Sequence, residues 1–222
     1  MKIPIEKQVT ALNDAFAAEL RKNLRAHRVF TINLVGAPGS GKTSLIEQTI
    51  RRLHREMGIG VIMGGPQTGL DSERIAALGI QPVSIYTQGG CHLDAAAIQK
   101  ALQTIDLAPI DILFVENIGN LLCPAAWDLG EDARVVVASL PEGASQPIKY
   151  PDTYLSARCL VINKTDLEPY LPDTSEALLK NALLIHPGLE VFQVSCLTGN
   201  GLDAWCSWVR QGVQSGKGMT DA

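Results

Sequence analysis

Two short strings, far apart in the chain, carry complementary chemistry. Gly36-Ala37-Pro38-Gly39-Ser40-Gly41-Lys42-Thr43 has the form GxxxxGK[ST]. Such a glycine-rich loop can cradle the phosphates of a nucleotide with its backbone N–H groups. Lys42 can reach the outer phosphates and the Thr43 hydroxyl can ligate Mg²⁺; Ser44 belongs to the same stretch. The second string is Asn163-Lys164-Thr165-Asp166. A carboxylate at Asp166 can accept two hydrogen bonds, from N1–H and the exocyclic amine of guanine. Adenine presents an acceptor where guanine has N1–H, so the same carboxylate repels it. Lys164 can pack along the base plane, and Asn163 can brace the phosphate loop. A phosphate loop with NKxD downstream implies a site for GTP and GDP.

A second constellation lies between these strings. Asp111-Ile112-Leu113-Phe114-Val115-Glu116 reads as a buried strand ending in a carboxylate. Glu116 is placed to meet Mg²⁺ or its waters, or simply to cap the sheet. The next residues, Asn117-Ile118-Gly119-Asn120, include a glycine able to approach the γ-phosphate, a natural place for a switch between GTP and GDP. Cys123 follows shortly after. Elsewhere, Cys91-His92 stands behind Thr87-Gln88-Gly89-Gly90 and ahead of a helix expected to start near Leu93. Neighbours on a strand point to opposite faces, but a Gly-Gly turn lets both side chains converge. A helix N-terminus would favour the Cys91 thiolate, and a thiolate with an imidazole suits Zn²⁺ or Ni²⁺. One Cys-His pair alone reads first as a small hydrophobe beside a surface imidazole. Cys123 strengthens the metal reading only if the fold brings it close.

The elements around these residues have the required character. Phe30–Val35 is an apolar run that feeds the glycine loop, and residues 43–57 have helical spacing. Further strands are expected at 59–63, 82–86, 111–116, 133–139, 158–162 and 190–194, and helices at 71–78, 93–105, 173–184 and 202–212. Near-continuous apolar strands alternating with helices predict an α/β phosphate-loop nucleotide fold, a three-layer sandwich with a mostly parallel sheet flanked by helices. Residues 1–28 form the preceding segment, an amphipathic helix over 4–27 with Ile5, Val9, Leu12, Phe16, Leu20 and Leu24 on one stripe. That helix either packs on the nucleotide domain or docks a partner. Residues 29–212 are the GTP-binding domain, and 213–222 read as a flexible tail.

Composition limits the alternatives. The chain has 222 residues, is 46% hydrophobic and carries a formal charge of −4, so it can bury one core and lacks the basic footprint of a nucleic-acid binder. No run approaches the ~18 apolar residues of a membrane span. The N-terminus has no signal-peptide core, and a cytoplasmic location is expected. The five cysteines then read as thiols or metal ligands rather than disulfides. Cys159 and Cys206 read as core, and His27, His54 and His186 have no partner at ligand spacing.

The segments GAPGSGKTSL, TQGGCHLDA, DILFVENIGNLLCP, WDLGED, PIKYP, NKTDLEPY and SCLTGNGLDAW together resemble the hydrogenase nickel-incorporation GTPases, the HypB family. The resemblance spans about Leu12 to Trp208. It implies a metallochaperone-type GTPase that forms a homodimer promoted by GTP and metal. It also implies Ni²⁺ or Zn²⁺ held by Cys91, His92 and Cys123 at the dimer interface. The nickel would go to a hydrogenase large-subunit precursor, with a second nickel accessory protein as partner. Lys42, Glu116 and Asp71 would carry hydrolysis, with Mg²⁺ on Thr43 and Glu116. Ser195-Cys196 resembles the loop whose backbone touches guanine, where an alanine is usual.

Departures from the family pattern carry their own expectations. Gly65 stands where the family usually has the aspartate of an E-G-D segment. Asp71 is the nearest remaining acid, and it also reads as a helix N-cap. Slow hydrolysis is therefore expected. The Gly143–Pro147 stretch lacks charges usual in the family. The cysteine-rich and histidine-rich N-terminal motifs are absent, so no nickel store is expected there, and Ala95, Ala96 and Ala97 replace histidines sometimes found after Cys-His. The rival reading is a weakly hydrolysing GTP-dependent switch that delivers no metal. Guanine recognition without a phosphoacceptor site argues against a kinase. The ENIGNLLCP segment argues against an accessory GTPase for urease or for cobalamin-dependent enzymes.

Overall fold

The structure, a computed structural model, describes residues 7–65, 69–87 and 89–218, with side chains from Thr10 to Gly216. The chain runs α1 (Lys7–Ala26), β1 (Phe30–Gly36), α2 (Lys42–Leu53), β2 (Ile59–Gly65), α3 (Leu70–Ala76), β3 (Val83–Tyr86), α4 (Ala95–Leu102), β4 (Ile112–Gly119) and β5 (Ala133–Ser139). Two short helices, α5 (Gln146–Lys149) and α6 (Pro151–Leu155), precede β6 (Cys159–Asn163), α7 (Thr174–Ile185), β7 (Glu190–Gln193) and α8 (Leu202–Gly218). The strands form one seven-stranded sheet in the order β3-β2-β4-β1-β5-β6-β7. Every neighbouring pair is parallel, as the continuous apolar runs require, because helices cover both faces. Every residue of β1 and of β5 is buried. Strand order reverses around β1, which sits between β4 and β5. Ligands of such sheets bind outside the carboxyl ends of the strands at this switch point.

Three apolar clusters hold the layers. Ile32, Leu45, Ile50, Phe114 and Trp205 belong to the first, where the Trp205 indole N–H donates to Thr49 Oγ1 at 2.9 Å. Leu20 and Leu24 of α1 enter the second, with Leu93 and Ile98. The third lies between β5, β6 and α7. Along the expected stripe of α1, Leu20 and Leu24 are each 1% exposed while Leu12 is 64% exposed; Ile5 and the side chain of Val9 lie outside the described residues. Asn13 ties α1 down further: it accepts from Ala95 N and donates to the Asp128 carbonyl, each at 2.8 Å.

Several boundaries move from their sequence expectations: α2 ends at Leu53 rather than at 57, and β4 runs on to Gly119 rather than ending at Glu116. Helix α8 continues to Gly218, through positions read as a flexible tail; Val213 is buried and keeps the amphipathic pattern going, and residues 219–222 lie outside the described set. Helix α4 starts at Ala95, because Asp94 is its N-cap and accepts from Ala97 N at 2.7 Å. Among the described residues no helix is long and apolar enough to cross a membrane.

Candidate functional site

The glycine loop turns sharply between β1 and α2. Gly41 has φ 101°, in the left-handed region, and a Cβ there would lie 2.1 Å from Asn163 Nδ2. Only glycine satisfies both conditions. Asn163 braces the loop by donating from Nδ2 to the Ser40 carbonyl at 3.0 Å. Its Oδ1 accepts from Lys164 N and Cys196 N. Lys164 lies in the left-handed region (φ 63°) and its ammonium donates to the Gly39 carbonyl at 2.7 Å. The Ser195 hydroxyl donates to Asp166 Oδ1 and accepts from Thr198 N. The two strings read from the sequence thus meet on one cavity of about 850 Å³, lined by Gly39, Lys42, Thr43, Ser44, Glu116, Gly119, Lys164, Asp166 and Cys196 among others.

Burial sets the charges on the cavity floor. Lys42 is 6% exposed and its ammonium donates to the Gly36 and Ala37 carbonyls at 3.1 Å each. Desolvation lowers its pKa, partly offset by Glu116. Glu116 is 7% exposed; Oε1 accepts from the Thr43 hydroxyl at 2.8 Å, and Oε2 has no partner. Desolvation pushes this carboxyl up to about 7, against the pull of Lys42 and Thr43. The parallel ladder explains how Glu116 comes to face the loop. Leu34 pairs with Glu116 but Gly36 pairs with Gly119, so β4 carries one extra residue there. Such a bulge re-aims side chains near functional sites.

Asp71 is not a helix cap. Gly69 holds that position, and Asp71 sits in the first turn of α3, where Arg74 Nη1 donates to it at 2.9 Å. Arg74 also donates to Glu47 and to the Ser44 hydroxyl. Asp71 and Arg74 both line the cavity. A Cβ on Gly65, at the carboxyl end of β2, would meet nothing within 4 Å.

Beside this cavity lies a second centre. Among the described residues, Cys91, His92 and Cys123 are the one group of three whose ligand atoms all lie within 4.8 Å of one another. Cys91 Sγ is 3.5 Å from His92 Nδ1. The glycine turn makes this possible: Gly90 N donates to Thr87 O at 2.9 Å and Gly89 has φ 96°, while Gln88 lies outside the described residues. The expectation of a helix-favoured Cys91 thiolate fails, because α4 begins only at Ala95. A hydrogen bond with Cys123 instead raises the Cys91 pKa, followed by desolvation. Burial lowers that of His92. Sequence reasoning missed several supports. Trp127 stacks on His92 with centroids 4.2 Å apart and planes 20° apart. Gln48 donates to the Cys196 carbonyl at 3.0 Å. Buried Asn117 accepts from Leu93 N at 3.3 Å. Trp127 and Asn117 offered a signal through their places in the WDLGED and DILFVENIGNLLCP segments, whereas Gln48 offered none. Cys159 and Cys206 are buried core residues, as expected. Burial pushes the Cys196 thiol up to about 11.

Comparison with known proteins agrees with this geometry. Residues 30–193 match the family model "CobW/HypB/UreG, nucleotide-binding domain". The hydrogenase maturation factor HypB of Rhizobium leguminosarum bv. viciae is 44% identical over 207 residues, covering 93% of this chain and 69% of that protein. The crystal structure of hydrogenase maturation factor HypB from Archaeoglobus fulgidus superposes with a TM-score of 0.86 at 37% identity, covering 91% of this chain and 99% of that one. HypB from Helicobacter pylori, crystallised in complex with nickel, gives a TM-score of 0.87 at 27% identity over 91% of this chain and 95% of the other. A chain with this phosphate loop, this parallel sheet and these relatives belongs to the HypB hydrogenase maturation factors of the CobW/HypB/UreG family.

Proposed function

We propose that this protein is a GTP-hydrolysing metallochaperone that binds nickel, with zinc as an alternative occupant, and assists nickel insertion during [NiFe]-hydrogenase maturation. The observation that carries this reading is the convergence of Cys91, His92 and Cys123 within 4.8 Å beside a guanine-type nucleotide cavity. A thiolate–imidazole set suits Ni²⁺ and Zn²⁺. Three ligands leave such an ion incompletely coordinated, and a second copy of the chain would complete it in a homodimer promoted by GTP and metal. The hydrogenase large-subunit precursor and a second nickel accessory protein would be the recipient and the partner. The related Helicobacter pylori protein was crystallised with nickel.

In this reading the loop amides and Lys42 hold the phosphates of GTP, and Asp166 selects guanine. Thr43 and Glu116 fit Mg²⁺: a hydroxyl meets a buried carboxylate whose Oε2 has no protein partner. When bound there, Mg²⁺ supplies charge neutralisation at the β- and γ-phosphates. Glu116 would aid hydrolysis by meeting Mg²⁺ or its waters through Oε2, the oxygen of the buried carboxylate that has no protein partner. Asp71 orients the attacking water from α3, held in turn by Arg74. A Ni²⁺ titration read by thiolate-to-nickel charge-transfer absorbance tests the metal reading. Strong absorbance that tightens with a non-hydrolysable GTP analogue and vanishes in Cys123→Ala supports it; little absorbance with either nucleotide overturns it.

One observation favours the rival, a slow GTP-dependent switch without metal delivery. The carboxyl end of β2 offers open space at Gly65 and no acid. Single-turnover hydrolysis should then rise at least about tenfold in Gly65→Asp, because a positioned carboxylate adds general-base or water-orienting help. An unchanged rate would show that Asp71 and Glu116 suffice.

A further inference from the structure

The phosphate loop and the metal ligands are joined by one side chain outside both sets. Gly36, the first residue of the loop, forms an antiparallel bridge with Asn120. Gly119 lies flush against the same loop: a Cβ there would sit 2.8 Å from Pro38 Cγ and 3.0 Å from Pro38 Cα. The segment 119–120 therefore follows any movement of the loop, because there is no gap to absorb it. From this position the Asn120 side chain reaches outward. Its Nδ2 donates to the Cys91 carbonyl at 3.2 Å and its Oδ1 accepts from Leu122 N at 2.9 Å. The amide orientation is dictated by its partners, since a carbonyl needs a donor and an N–H needs an acceptor. One contact holds the loop that bears Cys91 and His92. The other holds the turn that leads into Cys123.

We propose that Asn120 is the positioning residue that transmits the state of the phosphate loop to the metal site, by setting the separation of Cys91 from Cys123. This deepens the nucleotide-gated metal reading given above and rests on it. Asn117, within the bulge itself, does a different job. It is 1% exposed and its Oδ1 accepts from Leu93 N and Ile118 N, so it braces the fold. Asn120 is half-buried, and its loss leaves the core intact. Coupling through it is reciprocal: whatever factor the nucleotide applies to metal affinity, the metal applies to nucleotide affinity.

Two variants separate transmission from local structure. Asn120→Ala removes both contacts. Asn120→Asp keeps an acceptor for Leu122 N but cannot donate to the Cys91 carbonyl. The probe is Ni²⁺ alone, titrated against full-length protein with GDP and with a non-hydrolysable GTP analogue, and read by charge-transfer absorbance. The quantity is the ratio of the two Ni²⁺ affinities, which cancels any uniform effect of the added carboxylate. A net hydrogen bond of this kind corresponds to roughly a two- to tenfold change in an equilibrium constant. The wild-type ratio should therefore fall toward one by about that factor in both variants, while each variant still binds Ni²⁺ and GDP. A ratio that stays at the wild-type value in either variant overturns the relay and leaves the metallochaperone reading standing. A wild-type ratio of one overturns the relay and the gating together. Absence of Ni²⁺ binding in wild type overturns the metal reading itself.

Discussion

The two centres of this molecule are built in opposite ways. The nucleotide cavity is assembled at the carboxyl edge of the sheet, from contiguous motifs seated on buried strands. Lys42, Thr43, Glu116, Asn163 and Ser195 are all less than 9% exposed. The candidate metal ligands come from two loops that leave different strands, and Cys91 is exposed. Those loops are tied by a few contacts: Asn120 on the Cys91 carbonyl, Asn117 on Leu93 N, and the Trp127–His92 stack. A rigid floor suits a ligand whose phosphates and base must be read in one geometry. A site on loops suits a cargo that must enter and leave.

That contrast can be broken by substitutions on each side. The largest effect is expected from Asp166→Ala, which removes the acceptor for two guanine hydrogen bonds. At about 1.5–3 kcal/mol for a bond to a charged group, one such bond alone corresponds to more than tenfold. GTP affinity should fall about 100-fold while ATP affinity stays as weak as in wild type. Competition binding with a fluorescent GTP analogue measures both, and preserved GTP affinity would remove Asp166 from base recognition.

Glu116→Gln probes the buried floor through pH. The folded protein holds the Glu116 proton up to about pH 7, from an ordinary value of 4.5, because burial disfavours the carboxylate. Between those values the unfolded chain binds fewer protons, so stability is greatest below about 4.5 and is lost as pH rises through about 7. The loss amounts to at most about 3–4 kcal/mol. Urea melts of nucleotide-free protein at pH 5 and pH 8 should show this slope in wild type and a flatter one in the Gln variant. Equal slopes would mean that the carboxylate is solvated in solution.

The smallest expected effect lies on the metal side. Trp127→Ala removes the stack that holds the His92 ring, a contact of about 0.5–1.5 kcal/mol. Ni²⁺ affinity should drop about two- to tenfold with GTP affinity and melting temperature nearly unchanged; Trp127→Phe should restore most of it. A large loss of stability instead would place Trp127 in the structural frame and weaken the contrast between the two centres.

Much of the nucleotide centre was legible in the chain because its chemistry is local. GxxxxGKT and NKTD each keep their residues adjacent, and continuous apolar strands such as Phe30–Val35 leave few sheet types open. Glu116 was legible as a carboxylate on a buried strand, but the strand's continuation to Gly119 and its bulge were not, since register is a property of two strands. Of the two readings of Asp71, the cap fails because Gly69 and Asp71 both suit the start of a helix and only the backbone chooses. The helix-favoured Cys91 thiolate fails for the same reason: Asp94 caps α4 and places the helix start beyond its reach. Positions 213–218 looked like a tail because they are small and polar, yet Val213 finds the core and carries α8 onward.

The sequence by itself determined the nucleotide-binding phosphate loop, the parallel α/β architecture and the residue types of the candidate metal set. These depend on residue type, short spacing and hydrophobic period, which survive without any long-range contact. Only the tertiary structure decided that Cys123 reaches Cys91 and His92, that Trp127 lies on His92, and that Asn120 joins Gly36 to the Cys91 carbonyl. Those contacts join residues from separate strands and loops, and no local pattern encodes where two loops will meet.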